Sequence, residues 1–141
     1  MKNTLIAVAI ICGILLTVSC SKESTRVPLN IGFQGLSLQP IDKGFKYYGE
    51  VPPEGVDFTI TSPQPLRSIT VDKCVYWNEN GLPDISSGTW GGRISISSSG
   101  DSFIKYDIHI SENNDMRNRN ISLTFGKANE YCIVNLFQCQ L

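Results

Sequence analysis

Histidine is nearly missing from this chain. His109 is the only one in 141 residues, so neither a histidine-based metal centre nor a pair of imidazoles for proton transfer can be assembled. It stands between Ile108 and Ile110 on a period-two pattern, which makes it an exposed strand residue facing away from them. Serines are plentiful, yet no Gly-x-Ser-x-Gly elbow occurs. The carboxylates at Glu50, Glu54, Asp57, Asp72, Asp84, Asp101 and Asp107 have no local context that marks two of them as a catalytic pair. Glu112-Asn113-Asn114-Asp115 is rich in oxygen ligands but lacks the spacing of a calcium loop and reads as a turn. The expectation is a non-enzyme with no catalytic residue, metal or cofactor.

Charge is scarce as well. Only 18% of residues are Asp, Glu, Lys or Arg, and the formal net charge is −1, so nothing invites nucleic acid or anionic lipid headgroups. No apolar run reaches the ~20 residues needed to span a bilayer, no useful internal repeat is present, and no convincing helical periodicity appears in the body of the chain.

What is present begins with a targeting segment. Lys2 and Asn3 form a polar, positive head, and Leu5 to Val18 is an apolar stretch broken only by Gly13 and Thr17. It has the length of a secretory h-region rather than of a membrane span. Leu16-Thr17-Val18-Ser19-Cys20 resembles a bacterial lipobox, although Thr17 stands where leucine is usual; a longer ordinary signal peptide is the alternative. The expected organisation is a signal peptide over 1–19, a lipidated Cys20 with a polar tether over 20–29, and a single domain over 30–141. Acylation of Cys20 would anchor the protein to a membrane without crossing it, as an outer-membrane lipoprotein of the bacterial envelope, facing either the periplasm or the cell surface.

Alternation dominates the rest. Ile104, Tyr106, Ile108 and Ile110, then Ile121, Leu123 and Phe125, then Cys132, Val134 and Leu136 define three strands with one buried face each, read together as a β-meander. Upstream, strands are expected over 31–38, 45–51, 56–60, 67–77 and around Ile94 and Ile96, separated by turn-rich Gln39–Gly44, Pro52–Gly55 and Ser62–Pro65 and by a long glycine-rich loop over 78–92. About seven to eight short strands predict an all-β, immunoglobulin-like antiparallel β-sandwich, with a small closed barrel as the alternative.

The stretch from Ile108 to Arg117, followed by Asn120-Ile121-Ser122-Leu123-Thr124-Phe125-Gly126 and closing on Val134-Asn135-Leu136-Phe137-Gln138, resembles the end of a BACON domain. These are Bacteroidetes-associated modules of secreted proteins, credited with carbohydrate binding. The resemblance runs over roughly 56–138 and is specific in its last third. It implies an immunoglobulin-like sandwich on a bacterial lipoprotein.

Cys74, Cys132 and Cys139 would then lie in a disulfide-permissive compartment. Cys132 and Cys139 on one strand would be ~23 Å apart, too far to bridge. Cys132 is therefore either a small buried hydrophobe or the partner of Cys74 in a disulfide.

Two functions follow. One is glycan binding, in which the aromatic rings of Trp77, Trp90 and Tyr76, with Tyr47 and Tyr48 nearby, stack on sugars while Asn78, Asn80 and Arg93 supply hydrogen bonds. Core packing of Trp77 and Trp90 is the alternative. The other function is a structural or protein-interaction module, as an adhesin part or accessory subunit of a surface complex.

Overall fold

The computed structural model describes residues 25–141; the signal segment, Cys12 and Cys20 lie outside the described residues. The strands are β1 (Val27–Pro28), β2 (Gly32–Gln34), β3 (Gln39–Ile41), β4 (Lys46–Val51), β5 (Val56–Ser62), β6 (Leu66–Val71), β7 (Cys74–Val75), β8 (Gly92–Ser99), β9 (Ile104–Ile110), β10 (Arg119–Gly126) and β11 (Glu130–Gln138). One sheet has the order β3-β4-β11-β10-β6-β7, with β1 also paired to β11; the other has the order β2-β5-β9-β8. Both sheets are open. The fold is therefore a two-sheet β-sandwich and not a closed barrel.

Strands β5, β9, β10 and β11 bury alternate residues, as a pleat with one dry face must, while the short β2, β3 and β7 stay exposed. In β10 and β11 the pattern is uninterrupted: Ile121, Leu123 and Phe125 on one strand and Cys132, Val134 and Leu136 on the other are at most 1% exposed. Ile60, Ile108 and Ile110 meet them from the second sheet. Tyr106 ties the layers together. Its ring lies edge-on to Phe125 with centroids 5.5 Å apart, and its hydroxyl accepts a 2.8 Å hydrogen bond from the Leu66 backbone N–H. Burial without a polar partner would leave that hydroxyl costly; the cross-sheet bond removes the difficulty.

Four expectations need correction. The meander does not exist as one unit, because β9 pairs with β5 and β8 while β10 pairs with β11 and β6. Residues 111–118 carry the chain from one sheet to the other, and apolar alternation is the same whichever sheet a strand joins. The stretch expected as one strand over 67–77 is a hairpin: Asp72 and Lys73 both have positive φ (47° and 74°), the geometry of a two-residue turn joining twisted strands. The turn-rich segment after Leu38 contains β3 before a single 3-10 turn at Asp42–Gly44. Pairing is also not wholly antiparallel, since β1 and β4 both run parallel to β11.

Candidate ligand-binding surfaces

On the outer face of the four-stranded sheet, cross-strand register lines up polar side chains in rows. Asp57, His109 and Arg93 are neighbours across β5, β9 and β8, and Thr59, Asp107 and Ser95 form the next row. Gln34 extends that second row onto β2. With Ser86 from the long loop they line a trough of about 670 Å³. Its floor is rigid because the opposite faces of the same strands carry the buried Phe58, Ile94 and Ile108.

The trough is a field of donors and acceptors. Nδ1 of His109 lies 2.6 Å from Oδ1 of Asp57. An ionised carboxylate only accepts, so Nδ1 carries the proton and Nε2 is left available. Both side chains are well exposed, so the pair orients the imidazole more than it stabilises the fold. Arg93 supplies guanidinium donors and Asp107 a second acceptor.

Of the six side chains expected to bind ligand, Arg93 alone lines the trough. Trp90 is 2% exposed and belongs to the core, which corrects its reading as a stacking platform. Room for it comes from Gly92, where a Cβ would lie 2.7 Å from the ring carbons of Trp90. Trp77, by contrast, is 51% exposed and bridges to Pro83 through its backbone. Tyr76 is half-buried against the core. The Asn78 side-chain oxygen is spent within its own turn, accepting from the N–H groups of Asn80 (2.9 Å) and Leu82 (3.0 Å), while Asn80 is exposed. Tyr47 and Tyr48 sit on β4, in the other sheet.

The outward residues of the trough were visible as the polar partners in each alternation, at stride two. What the sequence did not supply was the pairing of β5 with β9 and β9 with β8, without which Asp57, His109 and Arg93 have no reason to meet.

A second polar cluster lies at the end of the sandwich reached by β11. Arg119 and Gln138 are cross-strand partners on inward-facing positions of β10 and β11. Arg119 donates through Nε to Gln138 Oε1 (3.0 Å) and through Nη2 to the carbonyls of Ser111 (2.8 Å) and Glu112 (3.2 Å). Gln138 Nε2 donates to the carbonyls of Pro52 (3.0 Å) and Ser111 (2.9 Å). The fully buried Asn113 donates to the carbonyls of Arg117 (3.0 Å) and Cys139 (3.2 Å). Burial lowers the Arg119 pKa, opposed by the nearby Asp115 and Asp72. Arg117 is exposed, and its unremarked neighbour Arg119 is the structural residue. The signal was parity: Arg119 falls in step with Ile121, Leu123 and Phe125, and Gln138 with Leu136.

Cys74, Cys132 and Cys139 are free. Cys74 pairs with Val71, Val71 with Ile121 and Ile121 with Leu136, so three strand spacings and four residues separate Cys74 from Cys132, roughly 20 Å. No bridge closes over that gap, and the buried-hydrophobe alternative holds for Cys132. Among the described residues no group of three or more His, Cys, Asp or Glu side chains could hold a metal ion, and no helix is long and apolar enough to cross a membrane.

No protein-family model and no curated protein matches the chain. The fold is similar to a solved structure described as the NMR structure of the protein from Bacteroides thetaiotaomicron, at 12% identity and a TM-score of 0.44, over 77% of this chain and 89% of that one.

Proposed function

We propose that the protein is a non-catalytic, lipid-anchored module of the bacterial cell envelope that binds carbohydrate, in the trough of the four-stranded sheet and not through loop aromatics. The observation that carries this reading is the row structure of the trough, where Asp57, Asp107, His109 and Arg93 project from adjacent rigid strands. Vicinal sugar hydroxyls both donate and accept, and alternating carboxylate, imidazole and guanidinium groups match them in both roles. The Asp57–His109 pair needs a nucleophile or a substrate-bound water to do chemistry, and no hydroxyl bonds to the free imidazole nitrogen among the described residues. Binding is therefore the better reading than catalysis. The lipobox-like segment and the BACON-like C-terminus support the envelope location and the module type.

Affinity gel electrophoresis of the chain against a panel of host and dietary polysaccharides tests the proposal. Retardation by at least one polysaccharide is expected, weakened about threefold to tenfold by Arg93→Ala or Asp107→Ala and unaffected by Trp77→Ala. Absence of retardation across the panel, or retardation that depends on Trp77 alone, would overturn it.

A protein-interaction role draws on a different feature. β8 is an edge strand beside which Ile96 (54% exposed) and Phe103 (42%) remain uncovered, a surface onto which another strand can add.

A further inference from the structure

The Arg119 cluster borders a second cavity, of about 540 Å³, whose walls include Asp72, Trp90, Asp115, Arg117 and Arg119. We propose that this cavity binds a hydroxylated carboxylate, a ligand of the uronic acid class, independently of the trough.

Arg119 and Arg117 point to a carboxylate. Arg119 is 8% exposed, and its guanidinium is fixed through Nε and Nη2, while Nη1 has no partner among the described residues. A buried cation held rigidly with one nitrogen unspent is a preformed anion contact. Gly91, which also lines the cavity, leaves room for that nitrogen itself: its φ is +94°, and a Cβ there would collide with Nη1. Finally, the indole Nε1 of Trp90 is buried without a hydrogen-bond partner. Closed to solvent, that nitrogen does not touch a ligand itself, but its ring lines the cavity, so its N–H resonance is a probe of what enters there. Arg117 adds an exposed cation at the same wall.

Asp72 and Asp115 decide what else the ligand carries. They oppose a bare anion, so a plain phosphate or sulfate is disfavoured by the same Coulomb argument that favours it at Arg119. Hydroxyl groups resolve the conflict by donating to these carboxylates while the ligand carboxylate accepts from Arg119 and Arg117. A uronic acid presents both groups on one ring.

The test uses the full chain in detergent with Trp77→Phe, which leaves Trp90 as the only indole. Its N–H resonance is followed by ¹H–¹⁵N NMR during titration with sodium glucuronate, glucose or inorganic phosphate. Glucuronate is expected to shift the resonance saturably, with glucose and phosphate leaving it in place. Arg117→Ala should weaken the glucuronate response about tenfold, the loss of one charge-assisted bond. This variant spares the cluster, because only the Arg117 carbonyl takes part in it. The proposal fails if glucuronate leaves the resonance unmoved, if glucose or phosphate shifts it equally, or if Arg117→Ala binds like the parent.

Discussion

Gln138 spends both ends of its amide inside the protein, accepting from a buried guanidinium and donating to the carbonyls of Pro52 and Ser111. Its replacement by leucine would take the side-chain acceptor from the buried Arg119 charge, although the Pro52 and Ser111 carbonyls keep bonds from the Gly55 N–H and from Arg119 Nη2. Gln138→Leu should therefore lower stability by about 2–4 kcal/mol in urea unfolding. Cys132 makes a different residue-level prediction. Burial pushes its thiol up to about 12 from an ordinary 9.0, so it stays a neutral thiol near neutrality and is a poor nucleophile. Among Cys74, Cys132 and Cys139, iodoacetamide should modify the two exposed ones in the folded protein and the third only after denaturation, as read by intact mass. The same shift has a pH consequence. A folded pKa above the unfolded one means that the contribution of Cys132 is whole below about pH 9 and is lost as pH climbs through 12. Melting temperatures from about pH 8 to 10.5 should fall for the parent and fall less for Cys132→Val.

At the scale of elements, the β10–β11 hairpin supplies the continuous interior wall of the larger sheet. Leu123 lies between Val134 and Ile69 on its neighbouring strands and is wholly buried. Leu123→Ala should cost about 2–5 kcal/mol, and Leu123→Asp should prevent folding, with loss of the β-sheet circular dichroism signal and of a cooperative melt. This hairpin was legible from sequence because period two and a glycine-bearing turn are local properties. The assignment of β9 to the opposite sheet was not, since Ile104 to Ile110 alternates identically in either place. The hairpin turn at Asp72–Lys73 was hidden for a related reason: neither residue is the glycine or asparagine that usually announces positive φ. The site suffered most. Rows of side chains across β5, β9 and β8 exist only once register is fixed, and Trp90 entered the core because Gly92, two positions along, left space for it.

Across the whole molecule, the described chain enters at one end of the sandwich and places its polar cavities toward the other. The Val27 N–H bonds to the Asn129 carbonyl and the Leu29 N–H to that of Tyr131, beside the β10–β11 turn. Arg119 and Gln138 lie at the opposite end of the same hairpin, roughly 27 Å along a nine-residue strand. On the lipid tether proposed above, the proposed ligand surfaces would stand on the side away from the bilayer. The parallel pairing of β1 with β11 then acquires a mechanical meaning. A polymer held at the far pole, tugged by flow or by a moving cell, pulls the tether backward along β1, and the force runs lengthwise to the strands. Hydrogen bonds perpendicular to that pull are strained together in shear instead of being unzipped one after another. The two-residue β1 strand would then be attached in the geometry that resists such a pull best, its bonds to β11 sharing the load.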